Sequence, residues 1–530
     1  MNRLCASLVC AVLLLGLCAT AFATTTTFPD VPKWQWAWRY VEGAHDAGVV
    51  NGYWDGYHPS EAVNRAQMAG YIARTLAGGD AAIPSGPATA TFTDVPTSYW
   101  AFKYIEYCHD QGVVNGYWDG YHPEETVTRD QMAVYICRAF NLPIPPQPYN
   151  ATDYFPMAQN QTWFHLGPGS PGSLTSQVAT GTAIISGQTY TALVSYPDGA
   201  TDYWQTAPDG LRTAGFHDPT VPADILFSPP LLIPNGLDPG DSVTQTAAIT
   251  INSVPSGEAS FTYTLLGTET VTVPAGIFQD CVKSEVLIST PQGTKHFYQW
   301  NAKNVGPVQY DSQPFGGTDS WALAGYTAPS SNPPGPPYNI TDHFPLGQGD
   351  TWTYLASWGS VTQTISGTTT LLSQVYSNMV YPDDYTDYFR NGTDGLYVGG
   401  NQDQGQVAVF SPALLFPNDL TPGQTRTDST TVYVDSVPQG TATVHVTLVG
   451  LDDVTVPAGT FAQCLKIELE FIPPGGLEGN GSHSYWWVGP GLGQAIEDKT
   501  PFGDTQCSLL SSATVGGVPY PVSVHAESKH

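Results

Sequence analysis

Two arginines stand where this chain is best suited to bind an anion. Residues 64–67 read N-R-A-Q and residues 128–131 read T-R-D-Q, the spacing of a capping box at a helix N-terminus. The spacing predicts helices starting at Asn64 and Thr128, with Arg65 and Arg129 in their first turns. A cation there faces the positive end of the helix dipole, at a cost of ~0.3–1 kcal/mol relative to an acidic residue. An anionic ligand would offset that cost by meeting helix N–H groups and a guanidinium. The alternative is that both arginines are solvated helix residues.

The sequence contains none of the common catalytic or metal-binding motifs. It has no H-E-x-x-H, no G-x-S-x-G, no paired-cysteine zinc spacing and no phosphate loop. We therefore predict no catalytic residue, no metal ligand and no cofactor. Asp198 and Asp202, repeated as Asp383 and Asp387, have types suited to a glycosidase pair or a calcium site. The favoured interpretation is that these acids are polar turn residues beside tyrosine-rich strands.

The capped helices belong to a duplicated segment. Residues 48–59 recur unchanged as residues 112–123, a shift of 64 residues. In each copy we predict a first helix, Trp36–Asp46 or Trp100–Asp110, then a loop rich in Gly, Tyr and Trp, then the capped helix. The same shift relates three further motifs: F-x-D-V-P at 28–32 and 92–96, W-A at 36–37 and 100–101, and R-x-Q-M-A at 65–69 and 129–133.

This order of motifs resembles the S-layer homology (SLH) repeat over about residues 28–77 and 92–141. The resemblance implies a helical bundle of two repeats, at 24–80 and 88–142, that binds cell-wall polysaccharide or peptidoglycan. In that family the arginine of a T-R-A-E motif contacts a pyruvylated wall polysaccharide. This chain keeps the arginine but loses the glutamate, and Asp130 is expected to weaken anion binding beside Arg129. The predicted polysaccharide-binding residues are Arg65, Arg129, Gln67, Gln131, Trp36 and Trp100.

Alternatives remain for this module. The tryptophans, together with Tyr53 and Tyr117, are assigned to the core in the alternative interpretation. The resembled family usually deploys three repeats as a pseudo-threefold bundle, and two are detectable here. Either the repeats self-associate, or the module works with two grooves and weaker avidity.

The cysteines bear on the packing of the second repeat. Cys108 and Cys137 correspond to Ala44 and Ala73 of the first repeat, so two small residues of one expected helix contact have changed together. In an exported protein this pattern predicts a Cys108–Cys137 disulfide, worth ~3 kcal/mol by chain entropy. A Cys464–Cys507 pair is also open, with a covered, inert Cys464 thiol as the default.

A second duplication fills the rest of the chain. Residues 149–156 correspond to 338–345, and the V-T-V-P-A-G motif at 271–276 recurs at 454–459. Residues 465–471 alternate between apolar and charged side chains, as in a half-buried strand. We predict two antiparallel β domains, at 149–328 and 338–520, behind Pro-rich linkers at 143–148 and 329–337. They resemble repeats of bacterial exported proteins to which no activity is attached.

Composition sets the class and the compartment. Lys and Arg total 17 against 46 Asp and Glu, a net charge of -29, which repels nucleic acid and anionic lipid surfaces. Residues 1–23 have the charged start, apolar run and A-x-A end of a secretory signal. No later segment has the ~20 apolar residues of a membrane span. We therefore expect a secreted protein at the cell surface or cell wall, as in an S-layer.

The predicted fold is multidomain, α + all-β: an N-terminal helical SLH bundle of two repeats, then two tandem antiparallel β-sheet, sandwich-like domains. The predicted function is non-catalytic wall anchoring with display of the β domains. One alternative is an adhesin or carbohydrate-binding protein whose β-domain tryptophans stack on sugars: Trp163, Trp204, Trp352 and Trp358. A less favoured alternative is a wall-attached glycoside hydrolase that uses the paired acids.

Overall fold

The computed structural model describes residues 26–145, 147–169, 172–331, 333, 335–475 and 481–521. The predicted signal peptide lies outside them. The described chain divides into two compact units: a helical unit up to Asn150 with Pro234–Asp238, and a β unit of Ala151–Ile233 and Pro239 onward. The helical unit contains α1 (Trp38–Asp46), α2 (Arg65–Ala77), α3 (Phe102–Asp110) and α4 (Arg129–Phe140), with short strands β1 (Ala62–Asn64) and β2 (Thr126–Thr128).

The capped helices begin where the sequence predicts. Asn64 caps α2 and Thr128 caps α4, and the glutamine three residues later completes a capping box in each. α2 ends at Gly78 in the left-handed conformation (φ 73°), which glycine adopts without strain. The first helix of each repeat begins two residues later than predicted, at Trp38 and Phe102. Its N-cap residues, Ala37 and Ala101, have no side chain that can accept a capping hydrogen bond.

The two repeats exchange their helices. α2 packs against α3 and α1 packs against α4, so each helix pair contains one helix of each repeat. β1 and β2 pair antiparallel across the repeats, with Ala62 opposite Thr128 and Asn64 opposite Thr126. The buried side chains of both repeats form one apolar core. Neither repeat has a core of its own.

This exchange overturns the predicted Cys108–Cys137 disulfide. Both thiols are free and buried. Cys108 on α3 donates to the Ala69 carbonyl of α2 at 3.4 Å, and Cys137 on α4 donates to the Tyr40 carbonyl of α1 at 3.1 Å. The two cysteines therefore lie at two different helix contacts, one on each side of the exchange. Burial raises the pKa of Cys108 to about 12.

The Cys464–Cys507 pair does not form either. Both residues are free and buried. The Cys464 thiol points to the Phe461 carbonyl at 3.6 Å, and burial raises its pKa. A covered Cys464 thiol, the default expectation, matches this position.

The β unit consists of two runs of strands, one in each repeat. The first run comprises β3 (Thr162–Gly169), β4 (Gly172–Ile185), β5 (Gln188–Tyr196), β6 (Thr201–Ala207), β7 (Gly210–Asp218), β8 (Ala223–Pro234), β9 (Ser242–Ile251), β10 (Val254–Val273), β11 (Gly276–Thr290), β12 (Gly293–Ala302), β13 (Gly306–Asp311) and β14 (Ser320–Pro329).

The second run comprises β15 (Thr351–Ala356), β16 (Gly359–Leu371), β17 (Gln374–Val380), β18 (Thr386–Asn391), β19 (Gly395–Asp403), β20 (Gln406–Pro417), β21 (Thr425–Val434), β22 (Val437–Val456), β23 (Gly459–Ile472), β24 (Ser482–Gly489), β25 (Gly493–Asp498), β26 (Cys507–Val515) and β27 (Val518–Tyr520). One-turn 3₁₀ helices occur at Asp80–Ala82, Ala151–Asp153, Gln313–Phe315, Ile340–Asp342 and Thr500–Phe502.

The strands form a large closed antiparallel sheet. β14 returns to pair with β3 in the first repeat, and β26 returns to pair with β15 in the second. β14 also pairs with β22, so the two repeats are hydrogen-bonded to each other. The Phe164 and Trp487 rings meet edge to face at 6.0 Å within a core that draws residues from both repeats. The prediction of a mostly β chain after N-terminal helices is confirmed, whereas two tandem sandwich-like domains are not.

No helix among these described residues has both the length and the apolar character needed to cross a membrane.

Candidate functional site

Arg65 holds the loop of the other repeat. Its Nε and Nη2 donate to the Tyr121 and Asn115 carbonyls, each at 3.0 Å. The guanidinium lies over the Tyr121 ring at 4.5 Å and the Tyr117 ring at 5.1 Å, and Glu125 approaches within 3.9 Å. The Arg65 side chain is only 15% exposed. It is therefore a packed residue of the interface between the repeats.

Arg129 repeats this geometry in the opposite direction. Its Nε and Nη2 donate to the Tyr57 and Asn51 carbonyls of the first repeat, each at 2.9 Å. Its guanidinium lies 4.6 Å from the Tyr57 ring centre and 5.0 Å from that of Tyr53, with Glu61 at 3.9 Å. The two arginines thus form a reciprocal clamp, in which each repeat holds the loop of the other.

The clamp leaves part of each guanidinium available. A guanidinium carries five N–H donors, and the two carbonyls use two of them. An anionic ligand at Arg65 or Arg129 would meet the remaining donors next to a competing glutamate. The alternative of a freely solvated arginine does not describe either residue, because both are clamped.

The spacing from F-x-D to G-Y-H, which both repeats share, has a structural cause. Asp30 accepts hydrogen bonds from the Tyr57 and His58 backbone N–H groups, both at 2.7 Å. Gly56 lies at φ 155°, and a Cβ there would stand 2.6 Å from the Asp30 carboxylate. Asp94 holds the second loop through the same two bonds to Tyr121 and His122.

These rigid loops present a tryptophan to solvent. Trp54 and Trp118 at the loop tips are each 97% exposed. Their signal in the sequence is that both lie in the unchanged 12-residue segment, yet sequence reasoning overlooked them. Trp36 and Trp100 are also exposed, at 60% and 54%, so the assignment of these two to the core is wrong. Each of these exposed indole faces is accessible to another molecule.

Gln67 and Gln131 take part in the capping boxes. The Gln67 side-chain oxygen accepts from the Asn64 N–H at 3.2 Å, and that of Gln131 accepts from the Thr128 N–H at 3.0 Å. Their side-chain amide N–H groups lie on exposed residues. Asp130 is buried and accepts from Gln35 Nε2 at 3.3 Å, so its carboxylate is engaged within the interface.

The tryptophans of the β unit mostly do not form a surface. Trp163 and Trp352 are buried, and each indole N–H donates to a backbone carbonyl at 2.6 Å. Trp204 is half-buried against Phe155, at 5.2 Å between ring centres. Trp358 is exposed.

The paired acids lie in two different environments. Asp198 and Asp383 are exposed, whereas burial raises the pKa of both Asp202 and Asp387 to about 6. The Tyr381 hydroxyl donates to Asp387 at 2.9 Å. Each pair therefore joins one solvated carboxylate and one enclosed carboxyl group.

The family comparison matches the helical unit. Residues 27–69 and 91–133 match the model of the S-layer homology domain. These two segments contain the clamp, both tryptophan loops and the capping boxes.

Curated relatives share a similar stretch. The chain is 31% identical over 146 residues to S-layer protein EA1 of Bacillus anthracis, covering 27% of this chain and 16% of that protein. It is 32% identical over 115 residues to an endoglucanase of Bacillus sp. (strain KSM-635), covering 21% of this chain and 12% of that enzyme. It is 38% identical over 71 residues to a cellulosome-anchoring protein of Acetivibrio thermocellus, covering 13% and 15%. The chain thus spans less than a fifth of each of these relatives, and the match to the endoglucanase lies in the SLH region.

A solved structure is similar to part of the chain. It is the crystal structure of an exported protein with a YmcC-like fold from Bacteroides fragilis, 16% identical, covering 32% of this chain and 96% of that chain, with a TM-score of 0.22.

Proposed function

This chain is a cell-surface protein with two S-layer homology domains, and we propose that it is a non-catalytic protein anchored to the cell wall. The helical unit binds wall polysaccharide or peptidoglycan, and the β unit is displayed. The observation that carries this proposal is the pair of fully exposed tryptophans, Trp54 and Trp118, on loops fixed by the clamp.

The geometry suits an anionic sugar polymer. An exposed indole offers a flat apolar face on which a sugar ring can stack, and the loop holds it at little entropic cost. The clamped arginine within the same repeat interface retains donors for a carboxylate substituent. Since the net charge of the chain is -29, such local cations are what allows an acidic polymer to approach.

One copy of the chain supplies two equivalent sites. The repeats satisfy each other through the exchanged helices and the reciprocal clamp, so the two-groove alternative is the one that we propose. Two sites on one rigid unit bind a repeating polymer with an avidity above that of either site.

The test is co-sedimentation of residues 24–530 with purified wall sacculi. Replacing both loop tryptophans, Trp54→Ala with Trp118→Ala, is expected to weaken binding about tenfold, because ~0.5–1.5 kcal/mol of stacking is lost at each site. The matched control is Trp358→Ala, which removes an exposed tryptophan from the β unit and leaves binding unchanged. Wild-type binding by the double variant would refute the proposed site.

The same experiment covers the carbohydrate-binding alternative. Trp358 is the tryptophan of the β unit that is exposed. If Trp358→Ala weakens sedimentation while the double loop variant does not, the β unit is the carbohydrate-binding part.

The non-catalytic assignment rests on the surroundings of the paired acids. In this proposal both acids are structural: Asp387 accepts a hydrogen bond from Tyr381, and Asp383 is solvated. Turnover of any wall polysaccharide that Asp387→Asn abolishes would overturn this assignment.

A further inference from the structure

The two β repeats join through one strand edge. Tyr326–Pro329 of β14 pair antiparallel with Asp452–Thr455 of β22. The Ser330 N–H extends this pairing to the Leu451 carbonyl at 2.9 Å. Gly325 is required beside the contact, because a Cβ there would stand 2.9 Å from the Thr455 carbonyl oxygen. In this way the first repeat covers the edge of the β22–β23 hairpin of the second.

The corresponding edge of the first repeat is uncovered. Leu451–Thr455 correspond to Thr268–Thr272 on β10, which pair with β11 on one side. On the other side β9 pairs with β10 only as far as Thr264. Among the described residues no strand covers Thr268–Thr272, and four of these five residues are exposed, whereas four of the five counterparts on β22 are buried.

The uncovered edge has the same underlying side chains as the covered one. On the covered side, Trp487 Nε1 donates to the Asp452 carboxylate at 2.7 Å, and Lys466 lies 4.8 Å from the Trp487 ring centre. In the first repeat, Trp300 Nε1 donates to Glu269, and Lys283 lies 4.7 Å from the Trp300 ring centre.

These two sets differ in burial. Lys466 and Asp452 are buried, whereas the Lys283 and Glu269 side chains are 27% and 49% exposed. The first repeat is therefore built as the same acceptor edge but lacks its cover.

The last strands of the β unit, β26 and β27, carry the matching donor edge under a short cap. Ala513–Val515 of β26 correspond to Tyr326–Ala328 of β14. Where β14 meets β22, β26 instead pairs with β27, with Thr514 opposite Pro519. β27 has only three residues, and Pro519 has no N–H to donate. Such a short strand is held to β26 by few ladder hydrogen bonds.

We infer that the Thr268–Thr272 edge is a docking site for a second copy of this chain, which pairs through Ala513–Val515 after β27 detaches. The proposed contact between two chains has the same form as the β14–β22 contact within one chain. Because donor and acceptor edges are at different places on each molecule, the contact is heterologous and builds rings or open chains of molecules.

The test is sedimentation velocity of residues 24–530 over a concentration series at ~0.15–0.5 M salt, which screens the repulsion between acidic chains. Deleting everything after Val515 removes the cap and is expected to at least double the weight-average mass at the highest concentration. Thr270→Lys places a charge on the acceptor edge and is expected to return the cap-deleted chain to a monomer. The matched control is Thr244→Lys on an exposed position of β9, which leaves assembly unchanged.

A second variant locks the cap in place. Thr514→Cys with Pro519→Cys joins β26 to β27 when oxidised, so the oxidised protein is expected to stay monomeric while its reduced form assembles like wild type. A cap-deleted chain that remains monomeric, or assembles equally with Thr270→Lys, would overturn the inference. Circular dichroism of each variant establishes that the β unit is folded.

Discussion

Replacing Arg65 with alanine is expected to loosen the loop of the other repeat. Arg65 donates two hydrogen bonds to the Tyr121 and Asn115 carbonyls and lies over two tyrosine rings. A charge-assisted hydrogen bond contributes ~1.5–3 kcal/mol and a cation–π contact ~0.5–1 kcal/mol. Part of this is recovered when water reaches the carbonyls, so the expected loss of local stability is ~3 kcal/mol. Since 1.4 kcal/mol is a factor of ten, loop opening becomes about 100-fold more frequent.

Hydrogen–deuterium exchange read by mass spectrometry resolves where the protection is lost. Arg65→Ala is expected to speed exchange in residues 115–122, and Arg129→Ala in residues 51–58, each in the repeat that was not mutated. Arg138→Ala, on an exposed face of α4, is the control and is expected to change neither segment. Loss of protection confined to the mutated repeat would refute the exchanged arrangement.

Two further outcomes follow from burial and packing. Cys137 lies against α1 beside Ala44, and Cys108 lies against α2 beside Ala73. Under a thiol oxidant, Ala44→Cys is therefore expected to crosslink to Cys137, and Ala73→Cys to Cys108. Mass mapping of the bridged peptides checks both. Burial raises the pKa of Asp387 to about 6, above its unfolded value, so the ionised carboxylate destabilises the fold increasingly from about pH 4 to pH 6. Asp387→Asn should therefore gain ~1–3 kcal/mol in urea unfolding at pH 7 and lose that gain by pH 4, whereas equal stabilities at pH 7 would contradict an enclosed carboxyl.

Local order in the helical unit follows directly from the sequence. The capping boxes at 64–67 and 128–131 identify where two helices begin, because side-chain and backbone groups only three residues apart satisfy each other. Similarly, the alternation at 465–471 identifies a strand. Such contacts are set by residues close in the chain and require no knowledge of the tertiary partner.

The sequence does not predict which repeat supplies the partner at each helix contact. The two repeats have nearly the same motifs, so a contact between Ala44 and Ala73 within one repeat and a contact between repeats leave the same sequence pattern. The predicted disulfide was wrong for this reason: it placed Cys108 and Cys137 at one helix contact, whereas the exchange separates them. A doubled motif predicts that a contact exists but not which copy supplies it.

The prediction that the tryptophans of the β domains are exposed was wrong for Trp163 and Trp352, and for a related reason. Trp163 and Trp352 were expected on a sugar-binding surface, but closure of the sheet encloses both. Closure depends on β14 meeting β3 and on β26 meeting β15, more than 150 residues apart in each case, and no local pattern encodes it. Trp54 shows the opposite outcome. Its loop is held by Asp30, and its side chain is exposed rather than enclosed.

The two duplications of this chain differ in how their repeats contact each other. In the helical unit each repeat holds the other through the clamp of Arg65 and Arg129, so this contact is made in both directions. In the β unit the contact runs in one direction, from β14 to β22, and among the described residues the corresponding edges of β10 and β26 do not pair with each other. A reciprocal contact uses the matching surfaces of both repeats at once, whereas a directional contact uses one surface of each repeat and can be repeated between molecules as rings or open chains.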